Sequence, residues 1–131
     1  MAFGFPPKHI QEIQIGDMKD EYFLIVAIET VFDLGWKVLF IDETGFIART
    51  KFSWRSWIEE VNLEINDGTA TIKSECAGSQ FLDWGKNKKN VMDFLAACEE
   101  VKSKLTPEEI EDKLADLRKE LKKMLNDPQK M

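Results

Sequence analysis

The side chains from which catalysis is usually built are sparse in this sequence and poorly placed for one another. His9 is the only histidine and it follows Pro6-Pro7, so a Ser-His-Asp or Cys-His arrangement would have to recruit it from an extended segment. Glu59 and Glu60 fall in a stretch with strand character, where neighbouring side chains point to opposite faces and cannot flank one substrate bond. Glu99-Glu100 and Glu108-Glu109 read as solvated helix faces. Cys76 and Cys98 match no zinc or redox spacing. They read as small buried apolar side chains in a reducing compartment, and nothing in the pattern supports a disulfide between them. The expectation is a non-enzyme, with no catalytic residues, no metal and no cofactor.

Two segments could bind rather than react. Gly85-Lys86-Asn87-Lys88-Lys89-Asn90 lacks the glycine spacing and the Ser or Thr of a phosphate loop. Even so, Lys86, Lys88 and Lys89 at a helix start could attract an anion; the plainer reading is a solubilising first turn with Asn87 as N-cap. Trp54-Arg55-Ser56-Trp57 joins two hairpins, and tryptophan suits interfaces because it couples apolar area to a polar handle. Trp57 shares parity with Val61 and Leu63 and is expected in the core, whereas Trp54 is a candidate contact residue.

The elements that would position these residues belong to one ordinary domain. The chain has 131 residues, 44% of them hydrophobic and 32% charged, enough apolar content for a real core. A net charge of −6 argues against nucleic acid as a partner. No run approaches the roughly 18 apolar residues that a membrane helix needs, and the N-terminus lacks the regions of a signal peptide. The expected location is the cytoplasm, or a cytoplasm-facing position at a membrane.

The expected fold is α+β: a helix, a four-stranded antiparallel meander, then two helices, with the helices on one sheet face. Residues 1–16 read as an extended leader, 17–105 as the α-β4-α body and 106–131 as a C-terminal amphipathic helix. The first helix is expected after Asp17 as N-cap and ends before Gly35, which suits the left-handed C′ position. Its apolar arc is wider than a surface helix requires, which predicts contact with more than one layer. Strands are expected over 36–42, 46–52, 57–66 and 69–76. Asp67-Gly68 marks a two-residue hairpin, which pairs Ile65 with Ala70, Leu63 with Ile72 and Val61 with Ser74. For the first hairpin a three-residue loop with Gly45 left-handed keeps Trp36, Val38 and Phe40 on the face of Phe46 and Ala48. Val91, Phe94, Leu95, Cys98 and Val101 then form the buried face of a second helix. Thr106-Pro107-Glu108-Glu109 opens the third with a capping box.

This parity turns Lys37, Leu39, Ile41, Ile47 and Arg49 outward, an apolar hairpin tip with a basic cluster behind it. Beside it, Glu60, Asn62, Glu64 and Glu75 make an acidic half. Together with Trp54 these residues suggest a docking face for a protein partner or an anionic membrane surface. Ile110, Leu114, Leu117 and Leu121 form a heptad seam on the last helix that could make a homo-oligomer. A small-ligand, anion or lipid-headgroup site at Lys86–Lys89 is the alternative.

Several residues taken together carry a resemblance: Leu34-Gly35-Trp36, Thr44-Gly45-Phe46-Ile47-Ala48, Ser53, Trp57, Lys73-Ser74-Glu75-Cys76 and Asp83-Trp84-Gly85-Lys86-Asn87-Lys88-Lys89-Asn90. Over roughly residues 15–98 the chain resembles the small soluble domain of bacterial membrane-associated proteins, some of them rhomboid-like. The resemblance implies a membrane context and a regulatory or interaction role rather than chemistry. A rhomboid protease needs a serine and a histidine within membrane helices, and this chain has no such helices to carry them.

Overall fold

The structure is a computed structural model that describes residues 8–50, 59–76 and 86–125. Its elements are β1 (Lys8–Gln14), α1 (Asp20–Asp33), β2 (Lys37–Asp42), β3 (Gly45–Arg49), β4 (Glu59–Asn66), β5 (Thr69–Cys76), α2 (Lys86–Lys104) and α3 (Pro107–Leu125). The fold is α+β, with three helices and a five-stranded antiparallel sheet among the described residues, in the order β1-β5-β4-β3-β2. The expected meander is therefore present as β2 to β5, and the segment read as a leader adds a fifth strand. In β1, His9 lies opposite Ser74 and Ile13 opposite Ala70. Because β1 is an edge strand rich in polar residues, it shows no strong apolar alternation.

The β4–β5 hairpin follows from its turn chemistry. Asp67 and Gly68 both take positive φ, at 47° and 81°, as a type I′ turn requires. The register places Ile65 opposite Ala70, Leu63 opposite Ile72 and Val61 opposite Ser74, as expected. All six are buried beneath the helices.

The β2–β3 hairpin departs from expectation. Asp42 pairs directly with Gly45, so the loop is Glu43-Thr44 alone. Gly45 is not left-handed. It is a glycine for a different reason: a Cβ there would lie 1.9 Å from the Leu63 carbonyl oxygen of the adjacent strand. The Asp42 carboxylate closes the turn by accepting the Thr44 amide at 2.8 Å and its hydroxyl at 2.9 Å. Parity is restored by a bulge between Val38 and Phe40, in which Leu39 is the extra residue. Val38 then lies opposite Ala48 and Ile41 opposite Phe46 on the inner face, while Phe40 lies opposite Ile47 on the outer one. Phe40 and Ile41 have thus exchanged the faces that simple alternation assigns them.

Helix α1 lies across β2, β3 and β4 and touches both other helices. Nearly its whole length from Phe23 to Val31 is accordingly buried, in line with the wide apolar arc. Its start differs from expectation. Lys19 holds the N-cap position with no side-chain cap, and Asp20 instead accepts the Gly68 amide at 3.1 Å, tying the helix to the β4–β5 turn. At its end the Gly35 amide donates to Phe32 and the Trp36 amide to Val31, both at 3.1 Å. With Gly35 at φ 76°, this is a Schellman cap. Trp36 then stacks on Phe94 of α2 at a centroid distance of 6.4 Å. Helix α2 covers β5 and β1. Helix α3 opens with the expected capping box: the Glu109 amide donates to Thr106 Oγ1 and the Thr106 amide to Glu109 Oε1, each at 3.1 Å.

Candidate functional site

The surface feature that stands out is the corner where edge strand β2 meets α3. A groove of about 410 Å³ runs between them, lined by Val38, Leu39, Phe40 and Ile41 of the strand and Leu117, Leu121 and Met124 of the helix, with Asp116 and Glu120 also on the helical side. Phe40 is 54% exposed, Leu39 44% and Met124 50%. Beyond the groove Leu125 is 76% exposed. The bulge creates this arrangement, because it spends the strand's extra residue on the outward side and leaves an aromatic ring at the sheet margin. Clustered apolar exposure of this kind marks contact surfaces.

The residues of the proposed docking face are distributed as follows. Lys37 and Arg49 are exposed and lie opposite each other on the outer sheet face. Ile47 is half-buried beside Asn62, and Arg49 lies opposite Glu60. Leu39 is at the bulge. Ile41 is not outward: it packs against the core under α3 and lines the groove. Phe40 takes the place Ile41 was expected to hold. Trp54 lies outside the described residues, as does Trp57.

The seam of α3 divides in two. Ile110 and Leu114 are buried in the protein's own core, and Leu117 packs against it. The helix is held to α1 by Tyr22 donating to Glu111, by Lys113 with Glu29 at 2.9 Å and by Arg118 with Glu21 at 2.5 Å. The expected oligomer seam is therefore committed within the chain over its first half. Leu121 and Met124 remain, on the wall of the groove.

Of the lysines at the start of α2, Lys89 is engaged within its own helix. Lys88 is exposed, and Lys89 pairs with Asp93 at 2.7 Å; Lys86 is the first residue of the helix. Asn87, expected as the N-cap, is instead fully buried and accepts a 2.8 Å hydrogen bond from Ser74 Oγ. Among the described residues no group of three or more His, Cys, Asp or Glu side chains is placed to hold a metal ion. No helix among them is long and apolar enough to cross a membrane.

That buried asparagine belongs to a polar network missed by the sequence reading. Asn90 Nδ2 donates to Glu59 Oε1 at 3.1 Å and to Ser74 Oγ at 3.2 Å. The Glu59 amide donates to Thr50 Oγ1 at 3.2 Å, and the Thr50 amide to the Glu59 carbonyl at 3.0 Å. Glu59 is only 4% exposed, and its Oε2 has no hydrogen-bond partner among the described residues. The signal was available: Glu59 shares parity with Val61 and Leu63, so it had to point inward. Thr50 Oγ1 also donates to Glu59 Oε1, at 3.5 Å. The network's evident role is to fix the first turns of α2 on β4 and β5.

Cys98 is buried against Thr30 of α1. Burial pushes its thiol up to about 11, only partly offset by the hydrogen bond with Thr30. A thiol so protonated is a poor nucleophile at neutral pH.

No protein-family model matches the chain, and no curated protein matches it.

Proposed function

We propose that this protein is a non-enzymatic interaction module that docks another polypeptide along the β2 edge and the adjoining β2–α3 groove. Its setting is the cytoplasmic face of a membrane-associated assembly, as the resemblance to bacterial membrane-associated domains implies. The observation that carries this reading is the coincidence of two features in one place. A sheet edge whose outer backbone groups have no strand partner among the described residues adjoins an open groove lined by Leu39, Phe40 and Met124. Strand addition gives main-chain hydrogen bonds, and an adjoining apolar groove supplies side-chain selectivity. The opposite edge, β1, carries Lys8, His9, Gln11, Glu12 and Gln14 beside an exposed Ile10, a mostly polar composition that discourages strand addition.

The test is site-specific photocrosslinking in the cells that naturally make the protein. A photoreactive phenylalanine analogue replaces Phe40 or Leu121, with Gln11 on the opposite edge as control. Crosslinks to a polypeptide from positions 40 and 121, and none from 11, are the expected result. Absence of any crosslinked polypeptide from position 40 overturns the reading.

A further inference from the structure

We propose that the polypeptide docked on the β2 edge is a second copy of this chain, joined by antiparallel β2–β2 pairing about a two-fold axis normal to the sheet. The inference rests on the docking site proposed above and names its occupant.

The strand reads Lys37-Val38-Leu39-Phe40-Ile41-Asp42, with a base at one end, an acid at the other and apolar residues between. Laid antiparallel on itself, it sets Lys37 against Asp42 of the second copy, Val38 against Ile41, and Leu39 against Phe40. Each pair is complementary in charge or in apolar character, and the rule that residue i meets j while j meets i is satisfied, as a two-fold interface demands.

The bulge makes this pairing geometrically allowed. A two-fold axis normal to a sheet leaves every side chain on its own face, and residues directly opposite across strands share a face. In a regular strand, residues 37 and 42 lie on opposite faces and could not meet in this way. Here Leu39 is an extra residue. Lys37 and Asp42 consequently both point to the outer face, opposite Arg49 and Gly45, while Val38 and Ile41 both point to the inner face, opposite Ala48 and Phe46. The axis passes through the Leu39-Phe40 doublet, so the bulges of the two copies face each other, and the exposed Phe40 ring is covered.

Charge on the single copy agrees. Lys37 lies opposite Arg49, whose neighbour on the other side is Glu60; an incoming carboxylate beside Lys37 completes a cross-strand row of acid, base, base and acid. Asp42 of the second copy arrives at that position. On the helical side the grooves beside Leu121 and Met124 approach each other across the axis.

The test uses the purified full chain in sedimentation equilibrium. The wild type is expected at a mass about twice 15.2 kDa. Phe40→Asp is expected to weaken association about 30-fold or more, in the range of a central contact residue. Lys37→Glu alone sets acid against acid and Asp42→Lys alone sets base against base, so each is expected to shift toward monomer. Mixed together, the two single variants regain opposite charges at both positions and are expected to form a heterodimer. Circular dichroism and thermal melts confirm that each variant is folded; if Asp42→Lys is not, because Asp42 closes the turn, Asp42→Asn with and without Lys37→Gln replaces the mixing arm and is expected to lose salt dependence of association. A wild type that stays monomeric at several hundred micromolar overturns the inference, as does a dimer that survives Phe40→Asp. A monomer in solution whose position 40 still crosslinks to another protein in cells overturns only the second copy. A β2-dependent dimer with no crosslink in cells overturns only the cellular docking role.

Discussion

Asn90 Nδ2 lies 3.1 Å from Glu59 Oε1, a hydrogen bond that joins helix α2 to an inward-facing carboxylate on β4. Its context decides its weight. The carboxylate is buried, one of its oxygens has no partner among the described residues, and an unsatisfied buried polar group costs far more than an exposed one.

Removing the donor should therefore be expensive. Asn90→Ala is expected to lower stability by about 1–3 kcal/mol, read as a shift in the urea midpoint at unchanged slope. Asn90→Asp, which sets a second carboxylate against Glu59, should cost more. Glu59→Gln should cost less than Asn90→Ala, because the amide oxygen of glutamine can still accept the hydrogen bond from Asn90. If all three variants unfold at the wild-type midpoint, the network is not structural.

Cys98 makes stability depend on pH in the alkaline range. Its thiol is raised from 9.0 to about 11, chiefly by burial. Between these values the unfolded chain releases a proton that the folded chain keeps, so stability falls as pH rises. Below the lower value the contribution is fully present. In a Cys76→Ser background, Cys98→Ala should flatten the decline in unfolding free energy over that window relative to Cys98. In the same background, alkylation of Cys98 at neutral pH should proceed only at the rate of unfolding.

Gly45 is a test of close backbone approach without unusual torsion. The Cβ of an alanine would meet the Leu63 carbonyl oxygen at 1.9 Å and the carbonyl carbon at 2.9 Å, neither of which can swing aside. Gly45→Ala should cost about 3 kcal/mol or more, at the upper end of overpacking effects. Gly35→Ala meets no neighbour but a left-handed backbone, and should cost about 1–2 kcal/mol. Thermal melts that rank the two in the reverse order would contradict this account.

The divided seam of α3 gives a contrast within one helix. Leu114→Ala should destabilise by about 2–5 kcal/mol, because that side chain is part of the core. Leu125→Ala should fall within about 0.5 kcal/mol of wild type, as exposed sites usually do. Equal effects at both positions would mean that the outer half of the helix is also packed.

The parts of the fold legible in the sequence were those governed by local rules. Asp67-Gly68 sets the β4–β5 register because its backbone preference is strong, and Thr106 with Glu109 marks the start of α3. The Gly35 cap was readable for the same reason. A left-handed Gly45 is the local expectation for the β2–β3 loop, whereas its role is a tertiary close approach to Leu63 that no local pattern encodes. Simple alternation accordingly puts Phe40 inward and Ile41 outward. A bulge is a one-residue displacement whose position is settled by the partner strand, and alternation alone cannot locate it. β1 was missed because an edge strand needs little apolar content, and Pro6-Pro7 made its approach look like a tail. The inward parity of Glu59 places it among buried groups, but alternation does not show which polar partners it meets there.

The sheet order also orders events in time. β1 comes first in the chain but pairs with β5, so its hydrogen bonds wait for the last strand, and loop closure over so long a span is slow. On the return path β1 is free to peel away while β2 to β5 stay zipped. Amide exchange should then show its protons escaping first, uncovering the β5 margin in brief openings well before the body of the protein lets go.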